Sequence, residues 1–386
     1  MGRETNKMLF ALIRSAVDGK NLNENEKNGY SPDMLDDMLA IALEHDVLHL
    51  LALGMKQNNL LLPNDEMGIG KCIFKAVYRV EKIGCEYDAL CEVLEKNCIA
   101  FLPLKGSVIR KYYPEEWMRT SCDIDVLVCE EDVDRAIKVL VDSGYTYRFK
   151  GTHNASLFAP NNTHLELHFT LVEKGLANEA SNVLKDVWSA AKLKEGYSYF
   201  YEMTDEMFYF YHIAHMAKHF ENGGCGIRPF IDLWVLDNID CKDAEKRDKL
   251  LEEGKLLKFA RTACNLSAVW FKNKEYDAVL QQMEDYILQG GRFGNNENRI
   301  AVKQQKSGGK FKYAVSKIFI SYDTLKYHYP ILQKHRWLMP AMQVRRWGKL
   351  IFCGHLKRTA EELKYSSDIS DKEANKVREF LNNIGL

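Results

Sequence analysis

The hydrophobic rhythm of the chain changes twice. Up to about residue 97 the apolar positions recur three and four apart, as in Met8, Leu9, Leu12, Ile13 and Val17, and again in Met34, Met38, Ile41 and Ala42. That spacing lines one face of a helix. A long helical pattern covers residues 65–97. At Cys98 the rhythm shortens: residues 98–104 form an apolar run of strand length, broken by Lys105, Gly106 and Ser107. Ser107 can cap a helix through Tyr113, which Pro114 ends. Residues 123–128 alternate in strand fashion. Residues 130–143 predict an amphipathic helix with acids in its first turn and Gly144 just beyond its end. Residues 145–149 and 156–159 predict strands, Asn161 and Asn162 a turn, and residues 163–170 another alternating strand. Helical spacing returns over residues 205–220, 230–236, 244–271 and 276–288. Residues 290–310, rich in Gly, Asn, Gln and Lys, predict a mobile loop. The expected fold class is α+β: a small mixed-sheet core flanked by N-terminal and C-terminal helical regions. The expected boundaries are an N-terminal helical region 1–97, a core 98–175, a helical domain 176–290 and a basic helical region 291–386.

Composition adds less than pattern. A length of 386 residues makes more than one domain the starting expectation. No apolar stretch reaches the ~18 residues of a membrane span. The first residues lack the basic start, apolar run and cleavage site of a signal peptide. Gly2 invites myristoylation, but position 6 is Asn where that motif has Ser or Thr. The ten cysteines form no C-x-x-C pair, and Cys72, Cys98 and Cys264 sit in apolar runs. A reducing cytoplasm is therefore expected. Charge is unevenly placed. From Arg299 to Arg358 nine Lys and five Arg face one acid, Asp323, a net +13 that leaves −14 elsewhere. Such a block suits nucleic acid, phosphates, a membrane surface or the protein's own acidic half.

Three short stretches carry polar groups suited to chemistry. Gly106 and Ser107 lie between a strand and a helix, where bare backbone and free N–H groups can cradle a phosphate. The same join serves turn geometry alone in many folds. Asp123 and Asp125 share one face of a strand and repel each other unless a cation lies between them. Mg²⁺ prefers such oxygen ligands together with substrate phosphates. Two exposed acids on an edge strand would show the same spacing. In His164-Leu165-Glu166-Leu167-His168 the leucines face a core, and Glu166 shares the other face with the histidines. Beside the Asp123 strand, Glu166 would be the third carboxylate of a two-metal site; a surface strand would alternate in the same way.

Together these pieces resemble the nucleotidyltransferase superfamily typified by DNA polymerase β: Gly-Ser at a helix start, Asp-x-Asp on the next strand, a third acid on a later one. More closely, the stretches 104–107, 123–128 and 165–168, with Tyr113, Pro114, Arg119, Gly144 and Tyr145, look like a bacterial family of uncharacterised nucleotidyltransferases. Further likeness lies at His215, Lys218, His219 and residues 231–233, and around Tyr329, Pro330, Arg336, Trp337, Leu338 and Pro340. The resemblance implies transfer of a nucleoside monophosphate from an NTP, ATP first among them, to an acceptor hydroxyl with release of pyrophosphate. It implies Asp123 and Asp125 on one metal, Asp125 and Glu166 on a second, Mg²⁺ with Mn²⁺ as alternative, and Gly106 and Ser107 on the phosphates. Lys105 and Arg119 would neutralise developing charge, although Lys105 reads equally as a solvated lysine. Arg228 on a phosphate rests on the resemblance alone; four residues from Asp232, it reads equally as half of a helix-surface ion pair. Fifteen residues separate Ser107 from Asp123, longer than in many members. Loss of either aspartate should abolish turnover with little harm to folding.

His212, His215 and His219 share a helical face, where packing or cleft contact is favoured over zinc because no Cys or acid motif completes a site. Trp337, Trp347, Tyr327 and Tyr329 interleave with the basic block and could stack bases of a nucleic acid. Helices packed on the acidic half, with Ile331, Leu332, Trp337, Leu338 and Met339 in a core, are slightly favoured. The competing functions are a non-catalytic, antitoxin-like nucleotide-binding partner and an RNA-binding or RNA-modifying protein.

Overall fold

The computed structural model describes residues 2–61, 66–172, 176–239, 243–292, 294–352, 364–367 and 369–386. At its centre are β1 (Phe101–Pro103), β2 (Asp123–Val128), β3 (Thr146–Lys150), β4 (Asn154–Phe158) and β5 (His164–His168). They form one sheet in the order β1-β2-β5-β4-β3. β2 and β5 run parallel, and every other neighbouring pair is antiparallel. A mixed sheet with flanking helices is the expected α+β architecture.

Alternation along the strands builds two different faces. Ile124, Val126 and Val128 of β2 and Leu165 and Leu167 of β5 are buried together against Leu90 and Leu94 of the long helix Glu66–Lys96, and against Ala136 and Leu140 of Val133–Asp142. On the opposite face Leu102, Leu104 and Leu127 join a second core. It runs on through Phe10 and Leu12 of Arg3–Asp18, Phe210 and Phe220 of Asp205–Phe220, and Phe259 and Trp270 of Leu257–Lys272. The N-terminal helices thus pack directly on the helices that follow the sheet. Gly54 allows one of these contacts: a Cβ there would lie 2.1 Å from the Leu12 carbonyl oxygen. Only a bare Cα lets helix Leu48–Gln57 come so near Arg3–Asp18.

Several expectations change in detail. The helical stretch 244–271 is two helices, Ala244–Glu253 and Leu257–Lys272, separated by Lys255 at φ 55°. The loop expected over 290–310 contains helix Asn296–Ser307. Asn295 caps it by accepting from the Glu297 N–H, and Ile300, Ala301, Val302 and Gln304 form a buried side. A polar composition had hidden an amphipathic face. Further on, Leu325, Tyr329 and Leu332 form a small separate core. Ile331 is 50% exposed and Trp337 76%, so neither is the core residue expected. Leu332 takes the inward position of the one-turn helix Ile331–Lys334, and its neighbour on the helix necessarily points elsewhere. Asp65, where the long helical pattern was expected to begin, and residues 353–358, the end of the basic block, lie outside the described residues. No helix among the described residues is long and apolar enough to cross a membrane.

Candidate active site

The register of β2 against β5 sets Asp123 beside His164 and Asp125 beside Glu166. Five polar side chains therefore project from one face of two adjacent strands. Their ligand atoms fall into two groups, Asp123–His164–Glu166 and Asp125–Glu166–His168, and within each group all lie within 4.8 Å of one another. Glu166 belongs to both. The oxygen donors suit Mg²⁺, and the two imidazoles widen the fit towards Mn²⁺ or Zn²⁺.

The electrostatics of the three acids differ. Asp125 is 4% exposed and accepts from Lys105 Nζ at 2.8 Å, with His168 Nε2 2.9 Å from the same oxygen. Burial alone would raise its pKa, but the Lys105 ammonium and His168 outweigh burial and hold it far below the usual carboxylate range. Asp123 moves the other way: burial and the negative charge of Asp125 push it up. Glu166 is lowered, first by its bond with His168, whose Nε2 lies 3.4 Å from Oε2. His168 is itself raised, because its bonds to Asp125 and Glu166 outweigh burial. Likewise Lys105 is held well above its ordinary value by Asp125 despite burial.

Lys105 is not a solvated lysine. It occupies φ 45°, ψ −121° immediately before the short helix Gly106–Ile109, a conformation costly for a residue with a Cβ. The turn is pressed against the chain leading into β2: a Cβ on Gly106 would lie 3.1 Å from Ser121 Cβ. Ser107 is placed differently from Lys105. Its Oγ is buried without a hydrogen-bond partner among the described residues. It lines a cavity of about 380 Å³ beside the edge strand β1, with Tyr87, Arg110, Tyr112, Phe200 and Phe208. None of the three carboxylates lines that cavity.

Arg119 lies in the long insert and forks onto Asp232, with Nε 2.7 Å from Oδ1 and Nη2 2.8 Å from Oδ2. The Tyr113 hydroxyl donates to the same carboxylate at 2.7 Å. The insert is therefore a buried clamp between the core and helix Arg228–Asp237, not a surface loop. Arg228 directs Nη1 to Asp46 at 3.1 Å and to the Thr120 carbonyl at 2.8 Å, instead of forming the helix-surface pair with Asp232. The helical histidines pack: His212 Nε2 lies 3.1 Å from the Pro229 carbonyl oxygen, and His215 and His219 lie 2.9 Å apart. None of them joins a metal-like cluster among the described residues. Burial and then the Lys105 charge lower His215, so this helix faces the site.

Sequence reasoning left His164 and His168 without a role and missed Asp46 altogether. The two histidines were legible as neighbours of Glu166 on one strand face. Asp46, far away in sequence, offered no signal.

A family model described as uncharacterised nucleotidyltransferase matches residues 31–272. The match takes in the sheet and the helices on both sides and ends before the basic region. No curated protein and no solved structure matches the chain.

Proposed function

From a chain that belongs to the uncharacterised nucleotidyltransferase family, we propose a divalent-metal-dependent enzyme that moves a nucleoside monophosphate from an NTP, ATP in the first instance, to an acceptor hydroxyl. The observation that carries this reading is the β2–β5 register, which brings Asp123, Asp125 and Glu166 onto one strand face. Asp123, Asp125 and Glu166 would hold Mg²⁺ or Mn²⁺, with His164 and His168 as neighbouring donors. Bound there, the cation supplies neutralisation of the polyphosphate and a more acidic acceptor hydroxyl. The new bond joins the acceptor oxygen to the α-phosphorus, and the bond from that phosphorus to pyrophosphate breaks. The acceptor proton passes to a carboxylate. Glu166, beside Asp125 in the strand register, would take it.

Lys105, already beside the carboxylates, moves between Asp125 and a phosphate oxygen, and Gly106 offers bare backbone to the same chain. Ser107 Oγ, without a partner among the described residues, can donate to a phosphate that enters by the β1 edge. Arg119, held by Asp232, contributes positive potential and fixes the insert. Among the described residues Arg228 bonds through Nη1, and its Nε and Nη2 would serve an oxyanion.

The test is release of pyrophosphate from ATP with Mg²⁺ or Mn²⁺ over a panel of hydroxyl acceptors, together with a crystal soaked in α,β-methylene ATP. A triphosphate beside Lys105, Gly106 and Ser107 supports the assignment, and one bound elsewhere, or independently of metal, ends it. One observation favours a second reading: the Lys105 ammonium already neutralises Asp125, as it would in a nucleotide-binding partner without turnover. Nucleotide binding with no pyrophosphate release from any acceptor would favour that partner. A nucleic-acid acceptor is favoured by Phe311, 80% exposed among the lysines of helix Lys310–Ile318. Steeply salt-dependent RNA binding would support it. The free thiols among the described residues fit a reducing cytoplasm.

A further inference from the structure

The apolar side of helix Lys310–Ile318 faces outward. Phe311, Val315 and Ile318 recur four and three apart, so they form one stripe along the helix, and Phe319 follows at its end. These four side chains are 80, 38, 45 and 55% exposed. The opposite side holds the helix to the protein through Tyr313, which is buried with Ile300 and Ala301 of Asn296–Ser307. A surface helix ordinarily turns its apolar stripe inward. A continuous apolar stripe left outside, with charged residues around it, marks a contact surface.

The surroundings are basic. Lys310 and Lys312 flank Phe311 in the helix, and Lys312 is exposed. From Lys310 to Phe352 nine Lys and Arg accompany one acid, Asp323. Lys334, Arg336, Arg345 and Lys349 are exposed as well. Helix Asp371–Ile384, whose Ala374 packs with Tyr313, carries three acids and three bases and does not offset the excess. A segment with this sum of charge draws an anionic surface through its field, whichever local pairs its side chains make.

The end of the stripe is prepared for an apolar surrounding. The last turn of a helix leaves carbonyls bare, and bare carbonyls are costly in a lipid layer. Here the Val315 carbonyl accepts from the Phe319 N–H at 2.7 Å, the Lys317 carbonyl from Arg346 Nη2 at 3.0 Å, and the Ile318 carbonyl from Trp347 Nε1 at 2.8 Å. The Trp347 ring also meets Phe319 edge-on, with centroids 5.2 Å apart.

We propose that this face seats the protein on an anionic lipid surface. Phe311, Val315, Ile318 and Phe319 enter the boundary between headgroups and acyl chains, and Lys312 with the surrounding cations meets the lipid phosphates. Phe311 and Phe319 would also suit a nucleobase, but Val315 and Ile318 have no π face to stack. All four gain on leaving water for acyl chains. The seat is peripheral, since no helix among the described residues is long and apolar enough to cross a membrane. It lies outside residues 31–272, which match the family, and does not depend on the transfer reaction.

The test is cosedimentation of the full chain with vesicles of phosphatidylcholine alone and of an equal mixture of phosphatidylcholine and phosphatidylglycerol. Wild type should bind the mixed vesicles, more weakly as salt rises, and the neutral ones far less. Phe311→Ser/Ile318→Ser should bind the mixed vesicles at least about tenfold more weakly with an unchanged Tm, because both side chains are exposed. Lys312→Gln should weaken binding about fivefold. Phe311→Trp should bind at least as tightly as wild type, a result that poor folding cannot produce. Equal binding of neutral and mixed vesicles, or full binding by the double Ser variant, overturns the seat. So does the absence of vesicle binding, whether the face instead holds a mixed-sequence single-stranded RNA or joins two copies into a dimer that the double Ser variant cannot form.

Discussion

The two faces of the central sheet are made by alternate residues of the same strands, yet they carry opposite loads. Towards the long helix, Ile124, Val126, Leu165 and Leu167 are buried among aliphatic neighbours. Towards the other helices, Asp123, Asp125 and Glu166 stand within reach of one another with two histidines. One face gains stability by leaving water; the other concentrates like charge, which folding tolerates only with compensation. The acids are not equivalent on this count. Asp125 has its partner in Lys105, whereas Asp123 is raised by burial and by its neighbour. The expectation that either acid could be lost without harm to folding therefore applies to Asp123 and not to Asp125.

The sharpest break in the comparison is Asp125→Asn. Pyrophosphate release should fall by about a thousandfold, the rate equivalent of the several kcal/mol that metal-assisted transfer supplies. Stability should drop by about 3 kcal/mol in denaturant melts, because Lys105 is left buried and unpaired. Adding Lys105→Met should restore most of that stability and none of the activity. Asp123→Asn comes next: a similar loss of pyrophosphate release with an unchanged or slightly higher Tm. A marked destabilisation there would mean that Asp123, too, is held by a partner.

On the apolar face, Leu167→Ala should cost about 3 kcal/mol through the cavity it leaves, while Mg²⁺-dependent binding of α,β-methylene ATP to the folded protein stays as in wild type. Loss of that binding would show that the faces are coupled. A separate effect is an acid dependence from outside both faces. Burial pushes His45 and His49 down to about 4 from 6.5. The unfolded chain binds their protons first, so stability falls as pH drops from about 6.5 to 4, by up to about 1.4 kcal/mol per pH unit for each histidine. Asp125, held low, adds its own loss only below that window. Both ring nitrogens of His45 are buried without partners among the described residues, so His45→Leu should flatten the slope seen in melts across this range. An unchanged slope would assign the acid sensitivity to other groups.

Much of the fold was legible because its signals are local. The pleat puts Asp123 and Asp125 together, and Glu166 between its histidines, from spacing alone. Helix Asp205–Phe220 was readable from its apolar spacing, and the structure adds a Thr204 cap. The legibility failed where polar residues carry a buried face, as in Asn296–Ser307, and where one-turn helices leave too few positions to show a period, as around Ile331 and Trp337. In the site, the acids and the Lys105–Ser107 turn were readable, but the direction of Ser107 Oγ into a cavity at the sheet edge was not.

By itself the sequence determined the alternation that separates an acidic strand face from an apolar one, because that period is built into each residue's backbone. Tertiary structure alone decided that β5 lies beside β2, that Arg119 answers Asp232, and that three distant arginines meet at Asp46. Those pairings join residues far apart in the chain, and only the packing of helices on both faces of the sheet selects which of many charge matches are made.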